Sequence, residues 1–285
     1  MNKKKRSIYT IGLLTITTLL TVGCSSNSKA QDVVSKKDSV ASKSVKSNDS
    51  MSDKLKKAES LAEKNKESYK SELKGVERLK QDVEYAYASD TPKTVSEMTK
   101  SGHLTARCLV VNTEFIVEDK KPRTLYTVFV KDVYSGDKSK LGKTLKVMLP
   151  GGKILNSIYY EDYQNKIVIP EDKKLTPEQL KGYTLVQYDG YDPVNPGDEI
   201  LAALTGLYEP TVQDTVYTTP SAELTFFKPK NAVKFEAHTS NIESVGGGTN
   251  SNDDPKGSNG NAQETKEKND RDVNEMVRTH KVPKS

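Results

Sequence analysis

Large apolar side chains are confined to the middle of this chain, and that confinement limits how it can fold more than any other feature. All five Phe and ten of the fourteen Tyr lie within residues 95–242, whereas residues 25–50 and 243–285 hold no aromatic residue. A segment without such side chains cannot offset the conformational entropy lost on ordering. The sequence therefore predicts one folded domain of roughly 150 residues, large enough to bury a core. The expected organisation is an N-terminal export segment at 1–23, a polar linker at 24–50, a helical stalk at 51–89, a β-rich domain at 90–242 and a disordered tail at 243–285.

Within the domain, strand patterns dominate. Residues 104–117 form a long apolar-rich run, residues 123–134 alternate as far as the turn Ser135-Gly136-Asp137, and Leu145, Val147 and Leu149 share one face before Pro150-Gly151-Gly152. Further strands are expected near 166–169, 183–187, 199–204, 222–227 and 233–237. Thr176-Pro177-Glu178 signals a short helix, and so does the stretch after Thr94. Many short strands punctuated by Gly and Pro predict a small barrel or sandwich. The expected class is mainly β with a long N-terminal helix, α+β overall. Residues 124–152, with Gly142-Lys143-Thr144-Leu145-Lys146-Val147 before Pro-Gly-Gly, also resemble a recurrent module of Gram-positive extracytoplasmic proteins. That resemblance implies a barrel-like fold outside the cytoplasm and no particular activity.

Ahead of the domain, Leu55, Ala62, Tyr69, Val76 and Val83 recur every seven positions, with Ala58, Leu79 and Ala86 in a companion column. This predicts a helix from Ser52 to Ala88. Asn65 and Glu72 interrupt the companion column and Gly75 weakens its middle. A helix that is partly solvated or leans on the domain, in a monomer, is therefore favoured over a coiled-coil dimer through the stalk.

The formal net charge is +5, but no acid precedes Cys24 and Lys3, Lys4, Lys5 and Arg6 supply four of the 44 basic charges. Without them 40 bases face 39 acids, a net of +1, which lacks the basic footprint of a nucleic-acid partner. The same basic start leads into an apolar stretch and then small residues, the layout of an export signal. A membrane span needs about 20 apolar residues, and the sixteen positions 8–23 include five Thr. The ending Thr21-Val22-Gly23-Cys24-Ser25-Ser26 resembles the signal of bacterial lipoproteins, although Thr21 stands where that pattern usually has Leu, and Leu20 lies one place further back. The resemblance implies acylation of Cys24 and a protein anchored by lipid on the outer face of the cell membrane. A cut after Ser28-Lys29-Ala30 would instead release a soluble protein. With Cys24 acylated, Cys108 has no partner for a disulfide, and its alternation with Leu104, Ala106 and Val110 predicts a buried structural thiol.

No catalytic set emerges. His103, His238 and His280 form no metal-ligand spacing, and there is no nucleophile elbow, P-loop or dinucleotide fingerprint, so no cofactor or metal is expected. The densest recognition chemistry is Tyr188, Asp189, Tyr191 and Asp192, with Tyr208 and the Tyr159-Tyr160-x-x-Tyr163 group as neighbours. Tyrosines beside carboxylates stack on sugars and bond hydroxyls or amines. The same residues also serve turns and a barrel rim. The reading is a surface lipoprotein acting as a binding or accessory module toward a wall saccharide, peptide or protein. The alternatives are a wall-polymer hydrolase using Glu161, Asp162, Asp189 or Asp192, and a structural spacer.

Overall fold

The computed structural model describes residues 50–81, 91–101, 103–164, 174–188, 191, 193–237 and 258–281. Cys24, Asp189, Asp192 and the strand expected near 166–169 lie outside them. No helix among the described residues is long and apolar enough to cross a membrane.

The central element is a long antiparallel hairpin of β2 (Leu104–Glu118) and β3 (Lys121–Ser135). Its turn residues Asp119 and Lys120 have φ of 46° and 63°, the left-handed pair whose twist matches the flanking strands. Register shifts at Thr105/Ala106, Arg107/Cys108 and Val110/Asn112 bend β2. β4 (Thr144–Pro150) pairs antiparallel with β3, and β7 (Glu199–Glu209) pairs with β2 along its first half. The second half of β7 pairs with β8 (Asp214–Thr218), and β8 runs parallel to β4, closing the ring β2-β3-β4-β8-β7. The ring is a five-stranded barrel with one parallel pair, β4 with β8. The fold is mainly β, as the turn-punctuated strands imply, and the barrel alternative is the one adopted.

Side chains fill the barrel. Cys108, Val110, Val128, Val147, Ile200 and Leu204 are among its buried residues, each contributing about 1.5–3 kcal/mol by leaving water. Cys108 sits on the inward face shared with Ala106 and Val110, as the alternation indicates, and burial pushes its thiol up to about 12. Such a thiol is inert toward nucleophilic chemistry at neutral pH.

β7 is buried on both faces. Ile200, Ala202 and Leu204 point into the barrel, while Leu201 and Ala203 point to a second core outside it. That outer face is extended by β9 (Phe226–Lys228) and β10 (Glu236–Ala237), and covered by α2 (Val95–Lys100) and a C-terminal helix. The short helix expected after Thr94 is α2, and Thr94 caps it.

One expectation is corrected here. The N-terminal helix α1 (Met51–Glu72) does not reach Ala88: Gly75, with φ of 75°, stops it, and β1 (Glu77–Gln81) follows. β1 runs parallel to β6 (Tyr183–Tyr188), which pairs antiparallel with β5 (Gly152–Leu155), forming a three-stranded sheet with helix α3 (Asn156–Gln164) beside it. α1 leans on the domain, one of the two readings preferred to a coiled coil. Ala58 and Leu55 pack on Leu109, Val111 and Phe129, and Tyr69 lies 5.9 Å from Phe115. The stripe that resembles a dimer seam is occupied by the barrel.

The tail is corrected too. Residues 258–279 form helix α4, and Val273 and Met276 are fully buried against Val95, Met98, Leu224 and Phe226. Two apolar positions at helical spacing suffice because the sheet supplies the rest of that core.

The two sheets join at Pro150-Gly151-Gly152. A Cβ on Gly151 would stand 2.8 Å from the Val186 carbonyl oxygen, and one on Gly152 would stand 2.9 Å from that of Arg123. Only glycine allows that backbone approach.

Candidate functional site

Of the tyrosine and aspartate segment after β6, the described residues Tyr188 and Tyr191 pack against the protein. Tyr191 is 6% exposed, within the barrel core, and its N–H donates to the Tyr188 carbonyl at 2.9 Å. Tyr188 packs against Ile154, Tyr159 and Val186. Further along, the Val194 N–H donates to the Tyr126 hydroxyl at 3.1 Å, and the Thr113 hydroxyl donates to the Val194 carbonyl at 3.0 Å. Buried Asp198 accepts from the Asn195 N–H at 3.1 Å and the Lys230 N–H at 2.9 Å. The turn-forming residues satisfy backbone groups at the barrel end, so Tyr188 and Tyr191 are not exposed stacking surfaces. Tyr159 is buried edge-on to Tyr160 at 5.5 Å.

Of the carboxylates read as hydrolase candidates, Glu161 alone has a described side chain. Glu161 is exposed and paired with Lys120 at 3.2 Å. The Asp162 side chain, like Asp189 and Asp192, lies outside the described residues. Among the described residues no group of three or more His, Cys, Asp or Glu is placed to hold a metal. The His103 ring instead meets the Thr205 hydroxyl at 2.7 Å, and His280 stacks on Tyr134 at 6.4 Å.

Charge is concentrated in two other places. On the outer face of β2, β3, β7 and β9, Glu199 receives Arg107 Nε at 2.5 Å, Lys131 Nζ at 2.9 Å and Lys228 Nζ at 3.4 Å. Arg107 also reaches Asp132 at 3.3 Å, and the Phe235 ring lies under the cations of Arg107 and Lys228 at 5.9 and 5.8 Å. Burial raises the Glu199 carboxyl, but the hydrogen bonds from Arg107 and Lys131 outweigh it and hold the group at about 2. A carboxyl so firmly ionised is a structural keystone, unsuited to donating a proton.

The second concentration is the rim where hairpins β2–β3 and β7–β8 meet. Arg123 Nε donates to Glu118 at 3.2 Å, and the Glu209 carboxylate accepts the Thr211 N–H at 2.9 Å. The Thr211 N–H and hydroxyl hold the Glu209 pKa below the ordinary carboxylate value, with a smaller contribution from the Arg123 charge. Beside this polar clamp the rim exposes large apolar side chains: Tyr208 at 68%, Leu207 at 54% and Val117 at 39%. Because side chains alternate along a strand, Leu207 shares the Glu209 face and Tyr208 projects from the other. Tyr208 was legible as one more tyrosine near a crowded loop. Glu118 and Glu209 were not, because 91 residues of sequence separate them and only barrel closure brings them together.

Comparison with models of known protein families, with curated proteins and with solved structures finds no match, so the reading of this chain rests on its own residues.

Proposed function

We propose that this protein is a bacterial surface lipoprotein, anchored by acyl chains on Cys24, whose barrel serves as a non-catalytic binding module for a wall saccharide. The observation that carries the binding reading is the rim: an accessible tyrosine ring and two exposed apolar side chains near the Glu118–Arg123 pair, on a barrel whose interior is filled. A sugar ring stacks on the exposed Tyr208 ring, on the face of β7 opposite Glu209. The two acids do not favour the hydrolase reading. A glycosidase acid needs a raised pKa, and Glu209 is shifted the other way.

Anchoring rests on the sequence of the first 24 residues. Stable attachment takes more than one acyl chain, which the lipoprotein pattern supplies at a single cysteine. Fractionation of cells carrying Cys24→Ala tests it: the account expects release from the membrane, and retention equal to wild type overturns it. Sedimentation of the protein with isolated cell walls, compared between wild type and Tyr208→Ala, tests the rim.

A further inference from the structure

The two shoulders of α1 differ in charge. Ala58, Ala62 and Tyr69 define the stripe buried on the barrel, and a helix turns about 100° per residue. One shoulder of that stripe therefore presents Lys54, Leu61 and Ser68 every seven positions, with Lys57 and Lys64 beside them, all exposed. It carries no acid. The other shoulder sets Glu59 and Glu63 against Lys66 and Lys70, and Glu63 pairs at 2.6 Å with Lys230, just past β9.

The start of α1 sits on the connection between β3 and β4, since a Cβ on Gly142 would stand 2.9 Å from the Met51 Sδ. There Met51 and Leu141 expose apolar surface, at 37% and 49%, and Leu61 does the same along the basic shoulder at 49%. Lys143 is exposed next to them. Two acids stand at this end, and both are engaged. Asp53 accepts the Ser50 hydroxyl at 2.7 Å, and Asp137, which caps the turn Lys138–Lys140, accepts the Ser139 N–H at 2.9 Å. Exposed apolar side chains interspersed with lysines suit a layer of anionic headgroups over acyl chains. A second copy of the same face would meet it with like charge, which disfavours self-association here.

We propose that this shoulder of α1, together with Met51 and Leu141, is a seat for an anionic phospholipid surface, on which the barrel lies side-on. The inference rests on the lipoprotein reading, in which acylated Cys24 keeps the body near a bilayer. Cys24 precedes Ser50 by 26 positions (24 to 50), so the anchor holds Ser50 within about 90 Å of the bilayer however the chain between them runs. Lysines attract headgroups only over about a Debye length, roughly 8 Å at physiological salt. The acyl chains therefore supply attachment, and the lysines with Met51, Leu61 and Leu141 set the orientation.

Contact quenching by lipids with a nitroxide headgroup tests the orientation, in vesicles that hold the acylated protein. A fluorophore is attached through Ser68→Cys on the basic shoulder or through Glu59→Cys on the other. Cys24 is acylated and Cys108 is buried, so neither competes for the label. With phosphatidylglycerol in the vesicle, the label at 68 should be quenched roughly twofold or more strongly than the label at 59, and the excess should shrink in pure phosphatidylcholine or at high salt. Lys54→Glu with Lys64→Glu should remove the excess at an unchanged melting temperature. If that chain proves less stable, Lys54→Gln with Lys64→Gln carries the same comparison. Protein that floats with the vesicles yet shows equal quenching at the two labels, or quenching indifferent to lipid charge and to these substitutions, overturns the seat and leaves the anchor standing. Protein that fails to float with either vesicle removes the anchor, and the inference falls with it.

Discussion

Asn65 on α1 donates its side-chain amide to the carbonyl of Val111 at 2.9 Å, at the point where β2 bulges and Val111 has no partner in β3. The bulge leaves a carbonyl without a ladder bond, and the helix supplies the donor. Asn65→Ala is expected to destabilise the protein by about 1–3 kcal/mol, the cost of leaving a largely buried acceptor unsatisfied. Asn65→Leu, which would complete the heptad column, should lose stability as well. Urea unfolding of both variants checks this, and a gain for Asn65→Leu would mean the helix prefers another helix.

The boundaries follow from the same contact. Residues 95–242 alone lack α1, β1 and α4, leaving Leu109, Val111 and Phe129 bare on one side and Leu224 and Phe226 on another. We expect that fragment to lack a fixed near-UV circular dichroism signal, whereas residues 50–285 give a cooperative transition.

This reverses what composition implies, for a physical reason. The aromatic residues do mark the barrel, and alternation places Cys108, Val110 and Leu204 correctly on its inner face. What composition misses is that a barrel with two more apolar faces can order polar helices with very few contacts. Ala58, Ala62 and Tyr69 suffice for α1, as do Val273 and Met276 for α4. The continuous apolar run of residues 200–204 carried the missing signal, since a strand apolar at every position is covered on both faces. Asn65 and Glu72, which read as flaws in a heptad, are docking residues: Glu72 pairs with Lys153 on β5. At Tyr188 and Tyr191 the sequence left a turn or rim reading beside a ligand reading, because turn chemistry and ligand chemistry use the same residue types, and the structure packs both rings against core clusters.

Glu199 gives a pH prediction with a definite sign. Its folded-state value of about 2 lies below the ordinary 4.5, so its contribution is fully present above pH 4.5 and disappears as pH falls toward 2. The amount is on the order of 3 kcal/mol. Glu199→Gln should lower stability at pH 7 by a similar amount and flatten the loss between pH 4.5 and 2. A variant with the wild-type acid profile would place the acid sensitivity elsewhere.

Two tyrosines should separate stability from recognition. Tyr191 is enclosed by the barrel core, so Tyr191→Ala is expected to cost about 3 kcal/mol or more. Tyr208 is mostly exposed, and Tyr208→Ala should change stability by less than about 0.5 kcal/mol. Thermal denaturation of the two single variants distinguishes these positions without any ligand.

The most direct measurement is therefore the binding isotherm of the purified protein on isolated cell walls for wild type and Tyr208→Ala, with melting temperatures recorded alongside. Loss of a stacking ring weakens binding by about 1 kcal/mol, so the account expects the isotherm to shift several-fold at an unchanged melting temperature. Superimposable isotherms for two equally stable proteins would contradict it and remove the rim as the ligand surface.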